Sequence, residues 1–400
     1  MPDGQTPTAP KRGAIPIMAI ACGVMVGNIY LCQPLLGEIA IDLGVPQRMA
    51  AWVAVATQVG YALGIMLLVP LADVADPKRL LRILFALTSA GLIVAACAPE
   101  LHILIAASLF LSLTTVVPQM LIPLATSLAT PTSRGRVVGS LMTGLVMGIL
   151  LSRTVSGIVA QYADTWRASY ALAALCTAAL FLFVPNFLPD RPVAHKISYF
   201  RLLASLLPLF RHRPLLLSLG MNFLIFGAFF AFWATLAFHL GSPAFGLGPA
   251  AAGLFGLWGA PGTLLAPVAG RLSDRWGSSV VNAAAFASLL SSFLIAGTLG
   301  SVSLIAIVVA VNLLDFGVQS GQVANQTRIF AIGAEIRGRL NTIYMTVTFS
   351  GGAVGALAGS YIWSVGGWSG ICTLCSVLVV LAATLLAVSS LLGRAANAQA

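Results

Sequence analysis

The sequence predicts an all-α integral membrane protein whose twelve transmembrane helices form two six-helix, pseudo-symmetric bundles. Four observations carry that prediction. Charged residues make up 8% of the 400 residues and hydrophobic ones 59%, with a mean hydropathy of +0.97. Soluble proteins carry roughly 25% charged residues, so a soluble surface of this size cannot be covered. The apolar residues fall into twelve runs of about 20, the length that crosses a bilayer. The bases are sorted between alternate loops, and the two halves of the chain repeat one another.

The runs lie approximately at residues 15–36, 49–71, 80–98, 101–127, 137–162, 168–188, 215–239, 249–270, 279–299, 302–326, 339–364 and 368–392. Helices are the expected form, because a single segment in lipid must satisfy its own backbone groups. Lys11, Arg12, Lys78, Arg79, Arg82, Arg134, Arg136, Arg191, Lys196, Arg201, Arg211, Arg213, Arg271, Arg275, Arg328, Arg337, Arg339 and Arg394 then fall on one side. Arg48 and Arg167 fall on the other, and Arg153 lies inside a span. Short cytoplasmic loops retain positive charge, so the basic side is expected to be cytoplasmic, with both termini there, in a bacterial-type inner membrane. A missed span would invert every later loop and mix the two sets, so the asymmetry supports the count. The net charge of +10 thus reads as an orientation signal. It is no nucleic-acid footprint, since the bases are interspersed with long apolar runs. The first run is too long for a signal peptide, and its removal would break the parity.

The longest polar stretch, residues 189–214, divides the chain. The expected organisation is an N-terminal cytoplasmic tail over 1–14, a six-helix bundle over 15–188, a cytoplasmic linker over 189–214, a second bundle over 215–392 and a C-terminal cytoplasmic tail over 393–400. A shift of 203 positions lays Gln119 on Gln322, Arg134 and Arg136 on Arg337 and Arg339, and Gly148, Ser152 and Ser156 on Gly351, Gly355 and Gly359; Asp73 meets Asp274 at a shift of 201. These small residues are expected to let helices approach and slide between the halves, with Gly253, Gly256, Gly259 and Gly262 doing the same on a second face.

Gly270-Arg271-Leu272-Ser273-Asp274-Arg275-Trp276-Gly277 follows span eight, and Pro70-Leu71-Ala72-Asp73, continuing to Lys78-Arg79, follows span two. The first resembles the G-x-L-a-D-r-x-G signature of the major facilitator superfamily. The second is a degenerate copy in which Val69 and Asp76 replace the two glycines. Residues 28–36 and 314–319 also resemble bacterial efflux-type members of the sugar- and drug-proton antiporter kind. The resemblance covers the whole chain and implies two six-helix bundles related about the membrane normal. Span five departs from the antiporter pattern, with Ser152-Arg153 where Gly-Pro belongs, and span four has Ser108 where those antiporters carry Arg.

An aspartate at a cytoplasmic helix end, beside arginines and positive helix N-termini, forms charge-assisted hydrogen bonds. Asp73 is expected to reach the start of span eleven or Arg134 and Arg136, and Asp274 to reach span five or Arg337 and Arg339. With Lys78, Arg79, Arg275 and Gly277 these make a candidate cytoplasmic gate that latches the halves. Loop anchoring alone is the competing reading.

Ionisable groups at mid-membrane are functional by default. Asp315 lies roughly 20 Å into span ten, and Arg153 lies in span five toward the periplasmic side. Asn312, Asp315, Gln319, Gln322 and Gln326 share one helical face about 80° wide. Ser108, Ser112, Thr115 and Gln119 make a milder stripe on span four. Asn28, Tyr30 and Gln33 in span one and Phe226, Phe230 and Trp233 in span seven complete a candidate cavity for a small organic solute. Each aromatic has a packing role as its competitor, and Asp315 and Arg153 have a static ion pair. A carboxylate that loses water in one state and gains Arg153 or water in another would couple transport to protons.

The expected function is secondary transport by alternating access, with proton-coupled efflux of a drug- or sugar-like solute. A proton symporter or facilitated permease is the alternative, and a non-transporting receptor or scaffold is the alternative of another class. No enzyme is expected, since no H-E-x-x-H, no phosphate-binding loop and no paired mid-membrane carboxylates occur. Cys372 and Cys375 form a C-x-x-C inside the last span without a second pair, which fits apolar filler. No cofactor or metal is expected; the partners are the solute, protons and the lipid bilayer, and the working unit is a monomer.

Overall fold

The computed structural model describes residues 13–130, 133–188 and 198–398. The tail over 1–12, the linker segment 189–197 with Arg191 and Lys196, residues 399–400 and the side chain of Arg394 lie outside the described residues. Among those described there is no strand. The helices long and apolar enough to span are α1 (Ala14–Asp42), α2 (Gln47–Asp73), α3 (Pro77–Ala96), α4 (Leu101–Leu128), α5 (Arg134–Ala163), α6 (Arg167–Phe187), α7 (Arg213–Leu240), α8 (Pro249–Trp276), α9 (Ser278–Ser301) and α10 (Leu304–Phe330). A last segment, Ala334–Leu392, is two spans joined at Gly367, whose φ of 55° breaks the helix. They are α11 (337–366) and α12 (368–398).

Small residues bring helices together inside each half. Gly148 of α5 lies on Gly23 of α1, and Gly355 of α11 lies on Gly227 of α7; a Cβ at either position would run into the facing backbone. This corrects the expectation that the two ladders slide between halves: each packs its own bundle, because these helix pairs cross with backbones nearly touching. Between the halves the first part of α8 packs on α5, where Gly253 and Gly256 lie on Arg153, while Gly259 and Gly262 face α10.

Three spans are broken where the site is built. In α1 the helix stops at Tyr30 and resumes at Leu36 after a 3-10 turn over Gln33–Leu35, because Pro34 has no N–H to continue the ladder. In α4 the break falls at Thr115 and Val116, ahead of Pro118. In α8 the pieces are Pro249–Trp258, Ala260–Leu264 and Ala266–Trp276, with Pro261 and Pro267 at the restarts. Asn312 of α10 clamps the first α8 break: its Nδ2 donates to the Trp258 carbonyl at 2.8 Å, and its Oδ1 accepts from Gly262 N–H at 3.1 Å. Non-helical backbone inside a membrane persists only when such groups are met.

The two motif loops differ at the glycine position. Gly277, between α8 and α9, has φ 85°, a conformation that strains side-chain-bearing residues. Asp76, between α2 and α3, has φ −62° and caps α3 by accepting from Lys78 N–H at 3.0 Å. The degenerate copy therefore has no need of a glycine there.

Candidate functional site

Arg153 sits at the seam of the two halves, 1% exposed. Its Nε donates to Gln33 Oε1 at 2.7 Å, the amide that the α1 break turns inward. Its guanidinium carbon lies 3.9 Å from the ring centre of Trp233, 4.7 Å from Tyr30 and 5.7 Å from Phe229. One amide from α1 and three rings from α1 and α7 thus fix the cation in place through cation–π contact. None of them carries a negative charge, and Nη2 has no hydrogen-bond partner.

Asp315 of α10 is 4% exposed. Its Oδ2 rests against Gly259 of α8, where the missing side chain makes room for it. Among the described residues the carboxylate makes no hydrogen bond and no ion pair. Arg153 and Asp315 line one cavity yet stand beyond ion-pair distance, so the static pair is not formed in this state.

That cavity holds about 330 Å³. Of the residues expected from the sequence, Tyr30, Gln119, Arg153, Phe226, Asp315, Gln319, Gln322 and Gln326 line it. Gln33 and Trp233 act one layer back, through Arg153, and Phe230 stacks on Tyr30 with ring centres 5.9 Å apart. Two expectations are corrected. Asn28 turns away from the cavity and donates to Thr115 Oγ1 at 3.3 Å, knitting α1 to the α4 break. Asn312 serves the α8 clamp. The α4 stripe is likewise spent on packing: Thr115 donates to the Met25 carbonyl at 2.7 Å, and Ser108 and Ser112 are fully buried. Only Gln119 of that stripe reaches the cavity.

Tyr61, Phe229, Asn341 and Phe349 also line the cavity, beyond the residues the sequence suggests. Phe229 shares its face with Phe226 at a spacing of three, and Tyr61 follows the polar Thr57 and Gln58 by one turn, so both carried a weak signal. Asn341 and Phe349 carried none.

The cavity adjoins a vestibule of about 500 Å³ on the basic side, with which it shares Gln119, Pro123 and Asn341. Asp73 of α2 and Arg339 of α11 both line this vestibule. Neither Asp73 nor Asp274 makes a hydrogen bond or ion pair among the described residues. Arg79, Arg134, Arg136, Asp274, Arg275 and Arg337 are exposed; Arg337 donates to the Phe330 carbonyl and Arg275 lies 5.9 Å from the Trp276 ring. Lys78 stands at the first turn of α3. On the opposite side the halves are joined: Thr154 donates to the Gly253 carbonyl at 3.0 Å, Ala250 N–H to Gln161 at 3.1 Å, and Trp363 Nε1 to Gln47 at 2.8 Å. On the basic side the halves thus enclose a vestibule, while on the other these hydrogen bonds join them.

Comparison with known proteins agrees with this architecture. A sequence model of the Major Facilitator Superfamily matches residues 18–331. The chain is 36% identical over 359 residues to the uncharacterized transporter YgaY of Escherichia coli O157:H7, covering 90% of this chain and 91% of that protein. It is 34% identical over 390 residues to a probable transporter of Streptomyces coelicolor, covering 97% and 90%. Its fold is similar to that of a variant of the nucleoside transporter NupG, at TM-score 0.74 and 14% identity over 93% of this chain and 97% of that one. It is equally similar to the peptide transporter POT solved with sulfate, at TM-score 0.74 and 15% identity over 97% of each. The chain belongs to the major facilitator superfamily and is a multi-pass secondary transporter, not an enzyme.

Proposed function

We propose that the protein exports a small organic solute across the cytoplasmic membrane in exchange for protons, with its basic side and both termini in the cytoplasm. One observation carries the reading. A lone carboxylate, Asp315, stands unpartnered in a cavity between the halves that adjoins a vestibule on the basic side. A buried carboxylate without a counter-ion is strongly penalised while charged. A proton or a cationic group of the solute relieves that penalty, and water at the open vestibule accepts the displaced proton. The Lys and Arg asymmetry supports the orientation.

Asp73 and Asp274 act as latches in the opposite state. Closing the vestibule carries Asp73 toward Arg339, and the pseudo-symmetric closure carries Asp274 toward α5. The absence of both contacts here fits a transporter open to the cytoplasm. The working unit is a single chain, since each half finds its partner within it.

Drug-sensitivity and metabolite profiling of a deletion strain supplies the solute, and reconstitution with an imposed pH gradient tests the coupling. Wild-type protein should show gradient-driven flux. Asp315→Asn should lose the gradient dependence. An Asp315→Asn protein with unchanged pH dependence would overturn the proton site.

A further inference from the structure

Two opposite charges face one cavity, and the protein neutralises neither. Arg153 is held by Gln33 and by the Trp233, Tyr30 and Phe229 rings, which fix its position without cancelling its charge. Asp315 sits in the notch left by Gly259 with no donor beside it. Each is at least nine-tenths buried, each has a side-chain polar atom without a partner, and they do not reach one another. Removing one partner of a buried charge leaves a large penalty, so a protein that keeps two such charges apart has built a fixed dipole for something else.

We infer that the solute is a zwitterion of amino-acid size, its carboxylate seated on Arg153 and its ammonium on Asp315. A purely cationic solute gains at Asp315 and is repelled by Arg153; a purely anionic one meets the reverse. A dipolar solute gains at both ends. The remaining walls suit an apolar side chain with polar edges: Phe226, Phe229, Phe349 and Val318 on one hand, Gln319 and Gln322 on the other. A volume of about 330 Å³ lies at the small end of the roughly 300–1,000 Å³ range of small-molecule sites.

The inference rests on the export reading for its coupling step. Asp315 carries either a proton or the solute's ammonium, never both, and that exclusion is the condition for exchange. The proton leaves Asp315 to water at the open vestibule as the ammonium arrives, and a proton returns from the other side once the solute has gone. Among the titratable groups, Arg153 of α5 and Tyr30 of α1 line the cavity with Asp315. Tyr61 of α2 lines the same cavity, and His239 of α7 and Tyr344 of α11 bond elsewhere, to Gly300 and Gln322 carbonyls.

Equilibrium binding to the full-length protein in detergent, without any gradient, tests the class. The probes are L-phenylalanine and L-leucine, each against its decarboxylated amine and its deaminated acid. At neutral pH at least one zwitterion should bind about tenfold or more tightly than both of its truncated analogues, the loss expected for one charge-assisted contact. Acidification should weaken the zwitterion in wild type but not in Asp315→Asn. Arg153→Gln should erase the advantage over the amine and Arg153→Lys should restore part of it. The inference fails if an amine or an acid binds as well as its parent, or if neither zwitterion binds. Gradient-driven flux of an unrelated solute would sink the zwitterion and leave export standing. Zwitterion binding without gradient-driven flux would do the converse.

Discussion

Gly259 decides how closely α8 approaches Asp315. A Cβ there would collide with the Asp315 carboxylate and the Val311 side chain, and overpacking of this kind costs about 1–3 kcal/mol. Gly259→Ala should therefore push the carboxylate off its notch. Gradient-driven flux should fall about tenfold or more, while the melting temperature in detergent drops by only a few degrees; unchanged flux would show that the notch does not position Asp315. Much of this site was legible one residue at a time. Asp315 and Arg153 stood out because no other charges lie deep in spans, and the amide spacing put Gln319, Gln322 and Gln326 on their face. The tie from Arg153 to Gln33, 120 positions apart, was not legible, since it depends on how α1 and α5 pack and on where Pro34 turns the chain. Asn312 shares the Asp315 face by periodicity, yet its side chain is drawn to the carbonyl and N–H that the α8 break releases. Helical periodicity gives a direction and leaves the neighbour unknown.

The broken α8 and the unbroken α10 work as one element. Pro261 and Pro267 mark where α8 restarts, but not the side chain that compensates. Asn312→Leu removes both bonds of the clamp and leaves the Trp258 carbonyl and the Gly262 N–H unmet, at a cost of about 1–3 kcal/mol for each buried group. The expected outcome is a clear loss of thermal stability in detergent. Asn312→Ser, whose hydroxyl both donates and accepts, should recover part of it; a Leu variant as stable as wild type would mean that water already serves these groups. The same clamp places Gly259 against Asp315, so flux should fall with stability. At the motif loops, sequence and structure agree for a physical reason. Gly277 is required by its positive φ, and Asp76 replaces a glycine because its loop has ordinary φ and a helix end to cap. The small-residue ladders were legible as close contacts but not as contacts within a half, because a shift of 203 pairs equivalent helices and says nothing of which neighbour each one meets.

The whole molecule is a balance between two closures, and only one is made here. On one side hydrogen bonds from Thr154, Ala250 and Trp363 hold the halves together. On the other, Asp73 and Arg339 line one vestibule without pairing. Charge counting across the loops was enough to distinguish these sides, because parity propagates along the whole chain. It also marked Arg167 as an exception on the sparsely basic side, and the structure gives the reason: Arg167 pairs with Asp42, which also accepts from Trp166 Nε1. If Asp73 and Asp274 latch the missing closure, each contributes a charge-assisted contact of about 1.5–3 kcal/mol to that state alone. Asp73→Asn and Asp274→Asn should then shift the resting population toward the form seen here by about tenfold or more per site. Single cysteines at Gly139 in α5 and Gly338 in α11, both in open space, report the shift when exposed Cys97 and Cys176 have been replaced. Labelling from the basic side should speed up in both variants, and labelling of a cysteine at Gly37, in open space beside the opposite closure, should slow. Unchanged rates at all three positions would leave the aspartates as loop anchors.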